Sequence, residues 1–367
     1  MRKCLLFAVG LLSLTGCRHL VTSRESGLKS HELAILKDRA GSLQSAQVRL
    51  VDTGSGQTVC WKEWVTPSEP VVVPLLVPDQ ADSCQPMVKV CLNGGQPVVA
   101  ALDTGSPLNA FHVSQALSHN LQIIDPDQLA NVFQGFGGQE KLFYGMINDL
   151  AVDGLIFHHA FTGLRAQTYR QYFLGLLPVS HWEGNLIGMS SFTRLAYLTI
   201  DYPQREAIFS AQRRFPGPGP QTMVQVPFSM DSMEVVIKAR FTSDSEPQLA
   251  LVDTGNDAAV ILPPNLIRKL GLQPLVEQGK TAKFLGIGGF KETRVFTLPH
   301  LQLGGVIFGN VEAVEGPDVF PVTLGSGFFK SYKVTLDFKQ KILWLEGSSR
   351  KEDRHPDTGR FRQAGLR

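Results

Sequence analysis

Two carboxylates, Asp103 and Asp253, end two apolar runs of nearly the same wording. The first run is Val98-Val99-Ala100-Ala101-Leu102-Asp103-Thr104-Gly105-Ser106. The second, with its Asp 150 residues later, is Leu249-Ala250-Leu251-Val252-Asp253-Thr254-Gly255-Asn256. A carboxylate at the end of a buried strand is costly to desolvate unless it is paired or hydrogen-bonded. Two such carboxylates, one from each half of a repeated chain, predict a shared site on a pseudo-twofold axis. Carboxylates that close cannot both ionise cheaply, so one proton is shared and the pair can work as base and acid together. A third Asp-Thr-Gly, Asp52 to Gly54, reads as an incidental polar turn. Arg49 interrupts its apolar run and none of the later landmarks follow it.

The elements that must position the pair repeat as well. Helix-like stretches follow each motif, Val113 to His119 and Pro263 to Leu270. Each precedes a residue able to take a left-handed helix cap, Asn120 and Gly271. Next come the glycine-rich hairpins Gly135-Phe136-Gly137-Gly138 and Gly286-Ile287-Gly288-Gly289, where backbone must lie close to something. Leu150 to Phe157 and Leu301 to Phe308 align at Gly154 and Gly305. Leu186-Ile187-Gly188 and Thr323-Leu324-Gly325 then close each unit, followed by strand pairs containing Asp201 and Asp337. The Asp201–Asp337 spacing falls to 136, which places an insertion in the first half, in the Tyr-, Phe- and Leu-rich stretch Gly163 to Gly184. Pro216-Gly217-Pro218-Gly219-Pro220 reads as a linker.

This ordered set resembles the aspartic proteases of the pepsin and retropepsin type, over about 86–212 and 221–347. The resemblance implies an all-β, bilobal, pepsin-like architecture with short helices, two pseudo-twofold related lobes and a cleft between them. Both lobes lie in one chain, as in pepsins, whereas their size and the Gly-x-Gly-Gly flaps are similar to retropepsins. By that resemblance Asp103 and Asp253 are the catalytic dyad. Thr104 and Thr254 cross-link the two loops, Gly105 and Gly255 let them approach, and Gly188 and Gly325 pack behind. Ser106 matches the usual residue after the motif; Asn256 departs from it yet can still hydrogen-bond the carboxylate. No flap tyrosine is evident, and Phe136, Phe143 and Tyr144 are candidates for cleft walls. The implied reaction is peptide-bond hydrolysis by a water activated between the two carboxylates, on an extended polypeptide added like a strand.

The N-terminus carries Arg2 and Lys3, the apolar run Leu5 to Leu14, and then Leu14-Thr15-Gly16-Cys17. The run is too short to span a bilayer and has the layout of a secretory signal. Its end resembles the lipobox of bacterial lipoproteins, with Cys17 as the lipidated residue after removal of 1–16. Arg18 at the next position resembles outer-membrane sorting in Gram-negative lipoproteins, facing the periplasm or the cell surface. Residues 17–85 read as a tether and N-terminal extension, 213–220 as the linker, and 348–367 as a disordered polar tail. Cys60–Cys84 is the preferred disulfide in such a compartment, with Cys91 in a core strand.

With 367 residues the chain can bury two cores; 43% hydrophobic and 19% charged residues read as globular, and a net charge of +2 names no partner. No basic patch interleaved with aromatics points to nucleic acid, no His or Cys spacing points to a metal, and no cofactor is implied. The glycine-rich hairpins lack the helix and Lys of a phosphate loop. Three functions fit: an envelope-anchored, monomeric aspartic endopeptidase, a catalytically silent lipoprotein that binds peptides in the same cleft, and a structural envelope lipoprotein.

Overall fold

The computed structural model describes residues 21–347 except 29, 54–55, 77–82, 130, 174–176 and 232. The expected signal segment 1–16, the expected lipidation residue Cys17 and the tail 348–367 lie outside the described residues. The fold is mainly β with short helices. Two large sheets dominate it: one of ten strands on the first half, and one of thirteen that runs from the second half back into the first.

The thirteen-stranded sheet joins the halves. Strand Tyr197–Asp201 pairs antiparallel with Tyr332–Asp337, and in this register Thr199 faces Thr335, its own counterpart in the repeat. Their hydroxyls meet at 2.8 Å. Leu198, Ile200, Val334 and Leu336 on these strands are buried in one apolar cluster that contains residues of both halves. Each fully buried side chain of this kind contributes roughly 1.5–3 kcal/mol.

Local chemistry explains why the repeated stretches fold alike. The turn of Leu150 to Phe157 sits at Asp153 and Gly154, with φ 42° and 92°; that of Leu301 to Phe308 sits at Gly304 and Gly305, with φ 53° and 88°. Two consecutive positive-φ residues are what a tight hairpin needs. Helices Val113–Ser118 and Pro264–Lys269 start with a His112 side-chain cap and a proline in the first turn, respectively. Asn120 and Gly271 follow them at φ 50° and 68°.

Residues 30–76, within the N-terminal extension, pack on the first half and on the joining sheet. Helix Ser30–Asp38 buries Leu36 completely, and Ala46 and Val48 pack with Ile124, Leu142, Met146 and Phe161. Strand Trp64–Thr66 adds to Leu155–Arg165, and Val71–Pro74 adds to Glu206–Ser210 at the edge of the joining sheet. The apolar residues here are few and scattered, so their partners in the first half decide their burial. Arg49–Thr53 pairs antiparallel with Gly56–Cys60, with Asp52 exposed.

The insertion forms a hairpin, Thr168–Phe173 with Leu177–Trp182, and takes Val21–Ser26 as its third strand. The expected Cys60–Cys84 disulfide does not form: among the described residues the two sulfurs are not bonded to each other. Cys60 ends the exposed hairpin on the first half, whereas the Cys84 amide is bound to Asp257 of the second. Cys91 is half-buried on the face of its strand opposite Val88, Val90 and Leu92.

Candidate active site

Both Asp-Thr-Gly loops hang from the ends of short parallel strand pairs. Leu186-Ile187 lies beside Ala101-Leu102, and the Asp103 amide donates to the Ile187 carbonyl at 2.9 Å. Thr323–Gly325 lies beside Leu251-Val252-Asp253 in the same way. Behind the loops, Met189 N–H donates to the Ser106 carbonyl at 2.9 Å and Ser326 N–H to the Asn256 carbonyl at 2.7 Å. A Cβ on Gly188 would strike the Leu108 and Ser106 carbonyls, and one on Gly325 those of Ala258 and Asn256.

Four hydrogen bonds lock one loop to the other. The Thr104 hydroxyl donates to the Val252 carbonyl at 2.7 Å and accepts the Thr254 amide at 3.1 Å. Reciprocally, the Thr254 hydroxyl donates to the Leu102 carbonyl at 2.6 Å and accepts the Thr104 amide at 3.1 Å. Both threonines are completely buried. The glycines complete the approach: a Cβ on Gly105 would fall inside the Asp253 carboxylate, and one on Gly255 inside that of Asp103.

The two carboxyl groups hydrogen-bond each other. Asp103 Oδ1 also accepts the Gly105 and Ser106 amides at 2.9 and 3.1 Å. Asp253 Oδ1 accepts the Gly255 amide at 3.0 Å, and its group is also bonded by the Asn256 side chain. Burial raises both carboxyls above the usual carboxylate range. Asp253 goes well above it because the charge of Asp103 adds to desolvation. For Asp103 the bond from Asp253, the two amides and the Arg165 guanidinium oppose desolvation. The proton is thereby favoured on Asp253 and the charge on Asp103.

The glycine-rich hairpins meet tip to tip. Gly137 N–H donates to the Ile287 carbonyl at 2.9 Å, and a Cβ on Gly135, Gly137, Gly286 or Gly288 would collide with the opposite tip. Gly138 and Gly289 close the last rungs opposite Gly135 and Gly286, at φ 143° and 115°. Phe136 crosses into the second half, against Ala258, Ile261 and Val314, with Phe284 and Phe320 around it. Ile287, its counterpart, stays partly exposed. Phe143 is in the main core and Tyr144 stacks on Phe161 on the other face of the sheet, so neither walls the site.

Other groups here were not legible in the sequence. Arg165 and Glu140 form a buried ion pair at 2.7 Å, with Arg165 also donating to the Gly184 carbonyl. Ser83 and the Cys84 amide donate to Asp257 Oδ1 at 3.0 and 2.6 Å, and the Gln85 side chain donates to the Gly255 carbonyl. The approach to the first half thus straps the second loop in place. Tyr202 hydrogen-bonds Ser326, whose hydroxyl reaches the Thr254 carbonyl.

An all-β fold with this arrangement of loops defines an aspartyl-protease-like domain, a class of hydrolase. Residues 237–328 match the family model described as aspartyl protease, a range that includes Asp253, its loop and the hairpin Gly286 to Gly289. No curated protein matches the chain.

Proposed function

We propose that this chain is an aspartic endopeptidase of two pseudo-twofold lobes, held at a bacterial envelope by a lipid on Cys17. The observation that carries the reading is the reciprocal Thr104–Thr254 hydrogen bonding, which keeps Asp103 and Asp253 in contact within one chain. No second copy is needed to complete the pair, so the working unit is a monomer. Asp103, with more donors around it, is the base that takes a proton from a bound water. Asp253 holds the shared proton and gives it to the peptide carbonyl oxygen as the water oxygen attacks the carbon. The resulting gem-diol collapses with proton transfer to the leaving amine, and no acyl-enzyme forms. The two glycine hairpins act as flaps that exclude water and pin an extended polypeptide through backbone hydrogen bonds.

The test is cleavage of an unfolded protein between about pH 4 and 7, with and without a pepstatin-like inhibitor. Inhibitor-sensitive cleavage is expected, abolished by Asp103→Asn and by Asp253→Asn. Cleavage that survives either change removes the dyad mechanism. Peptide bound without turnover replaces this reading by the silent binding protein. For the anchor, mass spectrometry of the mature N-terminus should find acyl chains on Cys17, and Cys17→Ser should leave the protein uncleaved or mislocalised.

A further inference from the structure

The Thr104–Thr254 lock is symmetric, but a second tie between the two Asp loops is not. It is made by residues 83–86, which lead into strand Met87–Leu92. The Pro86 carbonyl accepts the Leu102 amide at 2.8 Å, one residue before Asp103. The Gln85 side-chain amide donates to the Gly255 carbonyl, two residues after Asp253. Consecutive residues of one segment thus hold one loop each.

Gly255 is where that donor acts on the chemistry. Its N–H donates to Asp253 Oδ1 at 3.0 Å. On its other side it is pressed against Asp103, so closely that a Cβ would fall 2.2 Å from the carboxyl carbon. Gly255 therefore touches both carboxyl groups, and Gln85 holds it by its carbonyl. A glycine backbone has little preference of its own, so an outside partner must fix it.

Asp257 holds the front of the same segment. Its Oδ1 accepts the Ser83 hydroxyl at 3.0 Å and the Cys84 amide at 2.6 Å, and its carboxyl also accepts the Gln85 amide. Three donors on one carboxylate fix the backbone from which the Gln85 side chain reaches across. The pseudo-twofold partner of this tie is missing among the described residues. Pro107 stands 150 residues before Asp257. The strand registers set Glu234 where Gln85 would be, and Glu234 is exposed.

We infer that Gln85 is a positioning residue for the dyad, anchored by Asp257 and acting through Gly255 on the separation of the two carboxyl groups. This rests on the aspartic endopeptidase reading above. The end of the N-terminal extension thereby belongs to the working unit.

Gln85→Met keeps the length of the side chain and removes the donor. It should lower kcat roughly fivefold with KM unchanged. The alkaline limb of its pH–rate profile should move to lower pH, because carboxyl groups that drift apart repel less. Gln85→Glu donates only when its carboxyl is protonated, so its rate relative to the parent should rise as pH falls. Asp257→Asn should lie between Gln85→Met and the parent, and Glu234→Met, at the exposed counterpart, should match the parent. Carbon-13 NMR of the aspartate carboxyls reads the same positioning without turnover: the two dyad titrations should lie closer together in Gln85→Met. Parental kcat, pH profile and titration separation in Gln85→Met overturn the inference; if that variant fails to fold, Gln85→Glu and Asp257→Asn decide. A parent that does not cleave removes the endopeptidase reading, and the titration separation then decides the positioning by itself.

Discussion

The ring of Phe136 lies 5.6 Å from that of Phe320 at an interplanar angle of 86°, an edge-to-face contact between one half's hairpin tip and the other half's loop. Ile287, at the other tip, remains partly exposed. The two hairpin tips are therefore held unequally. Truncating a buried Phe to Ala costs about 3–5 kcal/mol where the site cannot collapse. On the proposed flap role, much of that cost falls on closure. Phe136→Ala should lower kcat/KM by roughly tenfold or more with little change in thermal midpoint, and Ile287→Ala should do less. Steady-state kinetics of both variants check this, and equal losses would remove the asymmetry.

The Thr104–Thr254 lock predicts a stability loss out of proportion to the atoms removed. Thr104→Val keeps the volume and deletes the hydroxyl, leaving the Thr254 amide and the Val252 carbonyl without their partner. Two buried unsatisfied groups cost about 2–6 kcal/mol together. Thr104→Ser, which keeps the hydroxyl, should lose less than half of that. Denaturant midpoints of the two variants measure the difference. A Val variant as stable as the Ser variant would show that the loops are held by something else.

The parts of this fold that were legible in the sequence are those dictated by short-range chemistry. Asp-Thr-Gly after an apolar run, paired glycines at turns, and Asn120 or Gly271 after a helix each impose a backbone state that few other residues accept. Long-range partners left no such trace. Nothing local marks Arg165 as the buried partner of Glu140, or Gln85 as a donor to the Gly255 carbonyl. Nothing local in the N-terminal extension 17–85 names what it packs on, yet Leu36, Ala46 and Val48 are buried by surfaces far away in sequence. The disulfide expectation failed for the same reason: a count of cysteines says nothing about which half each one packs on.

Glu63 carries a pH prediction for that packed extension. Its carboxyl accepts the Ser191 hydroxyl at 2.6 Å and the Trp61 indole N–H at 3.0 Å. Ser191 in turn accepts from the Asn109 side chain, which holds the Gly188 amide behind the first Asp loop. Arg194, over the Trp61 ring, is the charged neighbour that favours the ionised form. Burial outweighs it and raises the carboxyl from 4.5 to about 7. The folded protein therefore keeps a proton that the unfolded chain has released. The stabilisation is complete below the unfolded value and is lost as pH rises toward 7, in total about 3 kcal/mol at most. Glu63→Gln should flatten this dependence, making the variant relatively more stable at alkaline than at acid pH. Unfolding midpoints across that range check it, and parallel curves for the two proteins would refute it.

The dyad adds a second pH dependence with the same sign and a different readout. Asp253 is raised well above the ordinary carboxylate range, by desolvation first and by the Asp103 charge second. Its folded-state proton persists where the unfolded chain has lost its own. Stability from this group is thus full below the unfolded carboxylate value and declines as pH rises through the folded one. Asp253→Asn removes the titration and the like-charge strain. The variant should match the parent in strong acid and exceed it in stability near neutrality, while cleavage is abolished. Activity of the parent should fall on the alkaline side as Asp253 loses the shared proton, and on the acid side as Asp103 gains one. The paired measurement is a denaturation series and a pH–rate profile on the same proteins. An Asn variant whose stability tracks the parent at every pH would mean that Asp103 and Asp253 titrate independently, and the shared-proton chemistry would fail with it.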